Sequence, residues 1–320
     1  NIKELEEQNM SKEEFYYKSK ARKTKIRVIK WAPDNEVKAV LQISHGMLEH
    51  IERYHNFATY MAEHGILTVG NDHIGHGSSI KSEENRGYFS EDDGNSVLIE
   101  DMHTLMNIIK DGNPNIPYFI LGHSMGSFLT RQFITLYGNQ INGAIISGTG
   151  QQPVLLIKTG IFITKAIALF KGWRYRSKFV DFLAMGGNNN KFTPARTKFD
   201  WLTRDDEIVD NYISDSRISF IFTLNGFYNL FKSILLMNKD ENLKNIPKNL
   251  PMILISGERD PVGNFGKDVS KAFKMYNNLG MKNVSMKLYS GDRHEILNEL
   301  DKEQVYDDIV IWIGDLLTEV

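Results

Sequence analysis

Residues 117 to 137 read PYFILGHSMGSFLTRQFITLY, and no other stretch constrains the fold as tightly. Tyr118 to Leu121 is a short run of aromatic and branched residues, while Phe128, Leu129, Phe133, Ile134 and Tyr137 recur at helical spacing. A strand therefore runs straight into a helix. Between them stands Gly122-His123-Ser124-Met125-Gly126, a G-x-S-x-G pentapeptide in the strand–turn–helix setting that the motif requires. A serine at such a turn is expected in a strained backbone conformation that lifts its hydroxyl into the open, with glycines leaving room for close passage of strand and helix. The N-terminus of the following helix offers free N–H groups and the positive end of its dipole to an oxygen anion forming nearby.

The rest of the chain repeats the same unit. Glu14 to Lys18 and Lys25 to Trp31 read as two strands of an opening hairpin around Lys20 to Thr24. Val37 to Ser44, Ile66 to Val69, Tyr118 to Leu121 and Ile141 to Ser147 read as strands, separated by helical stripes at Tyr54 to Ala62, Leu98 to Ile109 and Phe128 to Tyr137. This alternation predicts an α/β fold, with a mostly parallel central sheet and right-handed crossovers that put helices on both faces. It lapses after Ser147 and resumes at Met252 to Ser256, Val284 to Tyr289 and a last helix through Leu317. The expected organisation is a core of residues 1–150 and 237–320 with a helical cap, or lid, inserted at 151–236. Within the cap, Gln152 to Phe170 is an almost continuous apolar stretch, Glu207 to Ile218 and Phe220 to Leu236 read as helices, and Phe220 to Leu236 is expected, with Val154 to Phe170, to roof the sheet edge bearing Ser124.

The chain has 320 residues, a net charge of −2 and no cysteine. That composition excludes disulfides, thiolate metal sites and a cysteine nucleophile, and gives no electrostatic reason to expect a nucleic acid partner. The first residues, NIKELEEQNMSKEE, lack the apolar run of a signal peptide, so a cytoplasmic location is the expectation.

A serine hydroxyl is a weak nucleophile unless a base takes its proton and a carboxylate orients that base. Eight of the nine histidines precede Ser124. His294, in Ser290-Gly-Asp-Arg-His-Glu295 after the last strand, is the only one downstream, where the base is expected. For the acid, the strand Met252 to Ser256 runs into Gly257-Glu-Arg-Asp-Pro261; Asp260 is the first choice and Glu258 the runner-up. An oxyanion needs two N–H donors. Met125, immediately after the serine, supplies one; Met47, in the exit loop Ser44-His-Gly-Met-Leu-Glu-His50, is the position expected to supply the other. The histidines His45, His50, His55, His64, His73 and His76 show no metal-ligand spacing, and this chemistry calls for no metal and no cofactor. Glu49 and Asp72 are read as carboxylates that fix their loops.

Taken together, His45-Gly-Met-Leu-Glu-His50 with Arg53-Tyr54, Asp72-His-Ile-Gly-His-Gly77, the Ser124 pentapeptide, Gly257-Glu-Arg-Asp260 and Asp292-Arg-His294 resemble the α/β-hydrolase-fold serine hydrolases of the monoacylglycerol lipase and lysophospholipase branch. Trp201-Leu-Thr-Arg-Asp-Asp-Glu207, with Tyr212 and Asp215, is similar to the cap of that branch. The resemblance implies ester hydrolysis on an acyl lipid, with Ser124, Asp260 and His294 as a triad and Met47 and Met125 as donors.

Val154 to Phe170 is too short and too charged for a membrane span and is expected to roof an acyl pocket, with Ile161 and Phe162 touching the substrate. The basic segment after it suggests peripheral contact with a membrane or micelle surface. Two other functions fit the same scaffold. A proline-type aminopeptidase would need cap carboxylates such as Asp205 and Glu207 to hold a substrate ammonium, and a non-catalytic binding protein would have no use for the Ser–Asp–His order.

Overall fold

The computed structural model describes residues 10 to 318; most of the charged N-terminal stretch read above lies outside the described residues. Eight strands form one sheet: β1 Met10–Lys18, β2 Lys25–Pro33, β3 Ala39–Ser44, β4 Ile66–Asn71, β5 Tyr118–His123, β6 Gly143–Ser147, β7 Met252–Gly257 and β8 Val284–Tyr289. Their order across the sheet is β1-β2-β4-β3-β5-β6-β7-β8. The hairpin pairs antiparallel with itself and with β4, and the remaining neighbours are parallel. Every residue of β3, β4, β5 and β6 is buried. Strands covered on both faces need no polar alternation, which is why they read as near-continuous apolar runs.

The α-helices among the described residues are α1 His55–Glu63, α2 Gly94–Gly112, α3 Met125–Tyr137, α4 Val154–Lys171, α5 Lys178–Met185, α6 Asp206–Ser214, α7 Leu224–Met237, α8 Asp240–Leu243, α9 Lys267–Asn278 and α10 Lys302–Thr318. One face of the sheet packs against α2, α3, α7 and α9 through residues such as Met102, Phe133, Phe227 and Tyr276. The other face packs against α1 and α10 through Phe57, Met61, Val305 and Ile309. This is the α/β-hydrolase architecture, with the serine turn between β5 and α3 at the centre of the sheet.

The segment between β6 and β7 holds α4 to α8, and here the structure corrects three expectations. Helix α6 ends at Ser214 rather than Ile218, because Asp215 turns back to bind Arg217 through its backbone N–H at 2.8 Å and its guanidinium at 2.7 Å. Helix α7 starts at Leu224, four residues later than its aromatic content suggests, because the Thr223 hydroxyl caps it by accepting from the Gly226 N–H. Nor is α7 a roof. It buries Phe227, Leu230, Phe231, Ile234 and Met237 in the main core beside α2 and α3. The apolar helix that stands outside is α4, which buries only Ile157, Thr164 and Ala168. Among the described residues no helix is long and apolar enough to cross a membrane.

Candidate active site

Ser124 sits between β5 and α3 with φ 52° and ψ −117°, in the half of backbone space that side chains avoid. Its N–H is held by the Ser147 carbonyl at 3.0 Å, and its own carbonyl accepts from Ser127 and Phe128 as the first turn of α3 forms. The two glycines of the pentapeptide are steric requirements. A methyl group at Gly122 would lie 2.3 Å from the Thr130 Oγ1, and one at Gly126 would lie 1.8 Å from the Ser44 carbonyl oxygen. Backbone on both sides cannot yield, so Gly126→Ala is expected to destabilise the fold by about 3 kcal/mol or more. Urea unfolding measures this directly, and an unchanged midpoint would refute the close approach of α3 to β3.

That approach brings the β3 exit loop against the serine. A Cβ on Gly46 would lie 3.1 Å from the Ser124 Cβ, so Met47 follows directly on a residue in contact with the nucleophile candidate. The N–H groups of Met47 and Met125 make no hydrogen bond among the described residues, as donors reserved for a substrate oxygen would. The loop turns at Leu48 with φ 55°, and Glu49 folds back under it. The Glu49 carboxylate accepts from the Gly46 N–H, from the Tyr54 hydroxyl at 3.0 Å and from Arg53 at 3.0 Å. Asp72 likewise accepts from the Ile51 N–H at 2.9 Å and the Ser78 N–H at 2.8 Å.

The structure brings Asp260 and His294 together. The His294 Nδ1 lies 2.9 Å from the Asp260 Oδ1, with both side chains buried. The same Oδ1 accepts from the Val262 N–H at 2.8 Å, and Oδ2 accepts from the Ser256 hydroxyl at 3.1 Å. Burial pushes the Asp260 carboxyl up, but His294 and the Val262 N–H outweigh it and hold the group below the usual carboxylate range. Glu258, the runner-up, is exposed and accepts from the Ser290 hydroxyl at 3.0 Å instead. The His294 ring lies over Gly148, whose missing side chain would come 3.1 Å from its Cε1. Gly148 directly follows Ser147, the residue that holds the Ser124 N–H, so ring and serine share one wall. From above, the Trp201 ring covers His294 at 5.0 Å, and the Trp201 and Leu202 carbonyls accept from the His294 and Glu295 N–H groups at 3.3 and 2.7 Å.

Three residues whose roles the sequence reading did not assign complete the site. Arg53 makes a bidentate pair with Glu295 at 2.8 and 2.7 Å, and its guanidinium lies 5.0 Å from the Tyr212 ring centre. His123 places Nδ1 3.0 Å from the Glu49 Oε1 and Nε2 3.3 Å from the His294 carbonyl oxygen. The available signal was that each of these ionisable residues is within a few positions of a reactive one, too weak without knowing that three loops converge. His45, His73 and His76 form a separate buried stack, with ring centres 4.3 and 5.2 Å from His45. Burial pushes His73 down to about 4 and His76 to about 3, so both are neutral packing elements at pH 7.

The cap pair divides. Ile161 is half-buried and packs against the main core, whereas Phe162, expected beside it in a pocket lining, is 72% exposed and faces outward. Adjacent positions on a helix diverge by about 100°, so the two could not both face one pocket. Asp205 caps α6, accepting from the Glu207 and Ile208 N–H groups, and Glu207 is exposed; neither is poised to hold a substrate ammonium.

The family model described as serine aminopeptidase, S33, matches residues 35–301. The monoacylglycerol lipase of Mycolicibacterium smegmatis is 25% identical over 289 residues, covering 88% of this chain and 90% of the relative. Among solved structures, a thermostable carboxyl esterase from Bacillus coagulans in complex with glycerol superposes with a TM-score of 0.89 at 26% identity, covering 96% of this chain and 99% of the esterase. A soluble variant of monoglyceride lipase from Saccharomyces cerevisiae shares the fold with a TM-score of 0.75 at 19% identity, covering 96% of this chain and 97% of the lipase. With fold, site geometry and a match over most of its length in agreement, the chain belongs to the serine aminopeptidase S33 family of α/β hydrolases, within its monoacylglycerol lipase-like branch.

Proposed function

We propose that the protein is a serine esterase that cleaves carboxylic esters of monoacyl lipids, of monoacylglycerol or lysophospholipid type, through an acyl-enzyme. The observation that carries this reading is the buried Asp260–His294 pair packed beside a serine held at positive φ. In the reaction, the Ser124 Oγ attacks the ester carbonyl while His294 Nε2 takes its proton. Asp260 holds the opposite N–H and stabilises the imidazolium. The carbonyl oxygen, now an anion, is received by the Met47 and Met125 N–H groups. The proton on His294 then passes to the departing alcohol, and a water activated by the same nitrogen releases the fatty acid and restores Ser124.

Residues 151–236 are taken as the insertion on a core formed by 1–150 and 237–320, with α4 to α6 as its cap and α7 packed into the core. Ile161, on the inner side of α4, is assigned to the acyl path. The outer side of the cap presents Leu155, Phe162, Leu169 and Phe170, the last 84% exposed, interleaved with Lys158, Lys165 and Lys171. That mixture suits shallow contact with a membrane or micelle surface.

A turnover screen over monoacylglycerols, lysophospholipids, short p-nitrophenyl esters and a prolyl anilide tests the reading. Preference for the monoacyl lipids is expected. Faster turnover of the anilide would transfer the function to an aminopeptidase, and failure to incorporate a fluorophosphonate would remove catalysis altogether. Each methylene buried in an apolar path is worth up to about 0.8 kcal/mol, so kcat/KM is expected to rise several-fold per pair of carbons until the path is full. Ile161→Asp should flatten that dependence while sparing acetate esters. Phe162→Asp should leave it intact and weaken pelleting with phospholipid vesicles. If both substitutions reduce all chain lengths equally, the division of α4 into inner and outer faces is wrong.

A further inference from the structure

We propose that His123, the residue before Ser124, is a positioning residue that acts as an imidazolium, joining the loops of Ser124, Met47 and His294 through two N–H bonds. The inference rests on the assignment of Ser124, Asp260 and His294 made above. It begins with donors and acceptors. One ring nitrogen faces the Glu49 carboxylate at 3.0 Å and the other faces the His294 carbonyl oxygen at 3.3 Å. Neither partner has a proton to give, and a neutral imidazole has only one. A neutral ring would set a lone pair against one of these oxygens in a buried site, where an unpaired polar contact is most costly.

Glu49 cannot supply the missing proton by being protonated itself. The Oε1 that faces His123 already receives the Gly46 N–H and the Tyr54 hydroxyl, which leaves no place for a hydrogen on that oxygen, while Oε2 receives Arg53. Charge leads to the same result. Among the described residues, the charged groups facing His123 lie on the three converging loops and on the loop after β7: Glu49 and Arg53, Glu295 beside His294, and Asp260, which is paired with His294. Glu49, Arg53, Glu295 and Asp260 sum to −2, and an imidazolium at His123 halves that buried negative charge. Negative charge here opposes the oxyanion that forms at the adjacent serine. Burial pushes the His123 ring down, but the Glu49 carboxylate outweighs it and raises the group above the ordinary histidine value.

The two protons have separate consequences. The Nδ1 proton fixes the carboxylate that holds the Gly46 N–H, one residue before Met47, so it sets where that donor points. The Nε2 proton fixes the main chain of His294 itself, while the His123 and His294 rings pack 4.7 Å apart. Because the fold favours the charged form, its contribution is complete below the unfolded histidine value of about 6.5 and is lost as pH rises through the raised folded value. The alkaline side is therefore where positioning fails.

The test uses full-length protein with nitrogen-15 in its histidines. At about pH 7.5, one unit above the unperturbed histidine value, both His123 ring nitrogens are expected to carry protons in a spectrum assigned through bonds. In kinetics on p-nitrophenyl butyrate, His123→Gln is expected to lower kcat on the order of 10²-fold with little change in KM, as a misplaced base would. The wild-type decline of kcat on the alkaline side should disappear in the variant, a change that a purely structural role would not produce. A single protonated ring nitrogen at that pH, or an unchanged kcat in the variant, would overturn the proposal. If His123→Gln does not fold, the wild-type spectrum alone decides. Fluorophosphonate labelling of the wild type separates the two readings. A protein that does not label while His123 is doubly protonated has lost its proposed function and kept this inference. One that labels with a singly protonated His123 has done the reverse.

Discussion

Ser124→Ala is expected to lower kcat by roughly 10⁶-fold and to abolish fluorophosphonate incorporation, while the protein unfolds at nearly the same urea concentration as the wild type. The rate loss is large because the Oγ is the atom that would be acylated, and nothing within reach replaces it. The stability expectation comes from the surroundings of the side chain. The fold uses the backbone of Ser124, through the Ser147 carbonyl and the first turn of α3, and its hydroxyl makes no hydrogen bond among the described residues. Deleting the hydroxyl orphans no partner, and the strain of φ 52° is the same for alanine as for serine. A change beyond about 1 kcal/mol in stability would mean that the hydroxyl has a structural bond absent from this structure. Substantial residual turnover with retained labelling would move the nucleophile elsewhere.

The central unit was legible because its constraints are local. Gly122 and Gly126 appear in the chain for the same reason that they are needed in the fold, namely that neighbouring backbone leaves no room for a methyl group. The base could be found by elimination, since a single histidine follows Ser124. The acid could be narrowed only to Glu258 or Asp260. Which of two nearby loop carboxylates turns inward depends on the Ser256 hydroxyl and the Val262 N–H, both of which bind Asp260 and neither of which has a sequence signature. The cap was harder for a different reason. Apolar residues around most of a helix indicate burial or an apolar surface without distinguishing them. Thus α7 and α4 read alike, yet α7 is built into the core with Asn229 accepting from the Asn95 N–H at 2.9 Å, while α4 leaves Leu169 81% exposed. Edge order was also hidden: nothing in β4 announces that it lies between β2 and β3. The Glu49–Arg53–Glu295–His123 group joins residues up to 246 positions apart by number, and only the assembled sheet brings them together.

The second large effect concerns Asp260. Its replacement by asparagine is expected to reduce kcat by roughly a thousandfold, through loss of charge rather than through a misoriented base. Asparagine could fail in two ways. Turned with its NH₂ toward His294, it would force the imidazole into the wrong tautomer, the case that costs about 10⁴ elsewhere. Here the Val262 N–H points at the same position from 2.8 Å and would meet that NH₂ donor to donor. Turned the other way, the amide oxygen keeps both the His294 and Val262 bonds. The NH₂ then faces the Ser256 hydroxyl, which can accept from it and donate to the Gly257 carbonyl at 3.4 Å. The second arrangement satisfies every group, so the tautomer is kept and only the carboxylate charge is gone. A unit charge about 4 Å from another is worth about 4 kcal/mol at an effective dielectric near 20, which is roughly 10³ in rate if the imidazolium of the transition state loses it. The proton on His294 Nδ1 should therefore remain visible far downfield by NMR in Asp260→Asn. Removing the hydroxyl as well, in Ser256→Ala with Asp260→Asn, should weaken that preference and lower kcat further. Glu258→Gln should change kcat less than about twofold, as expected for an exposed residue outside the site. A full 10⁴ loss with the Nδ1 proton absent would show that the amide flips despite Val262, and the opposite ranking of the two carboxylates would transfer the acid to Glu258.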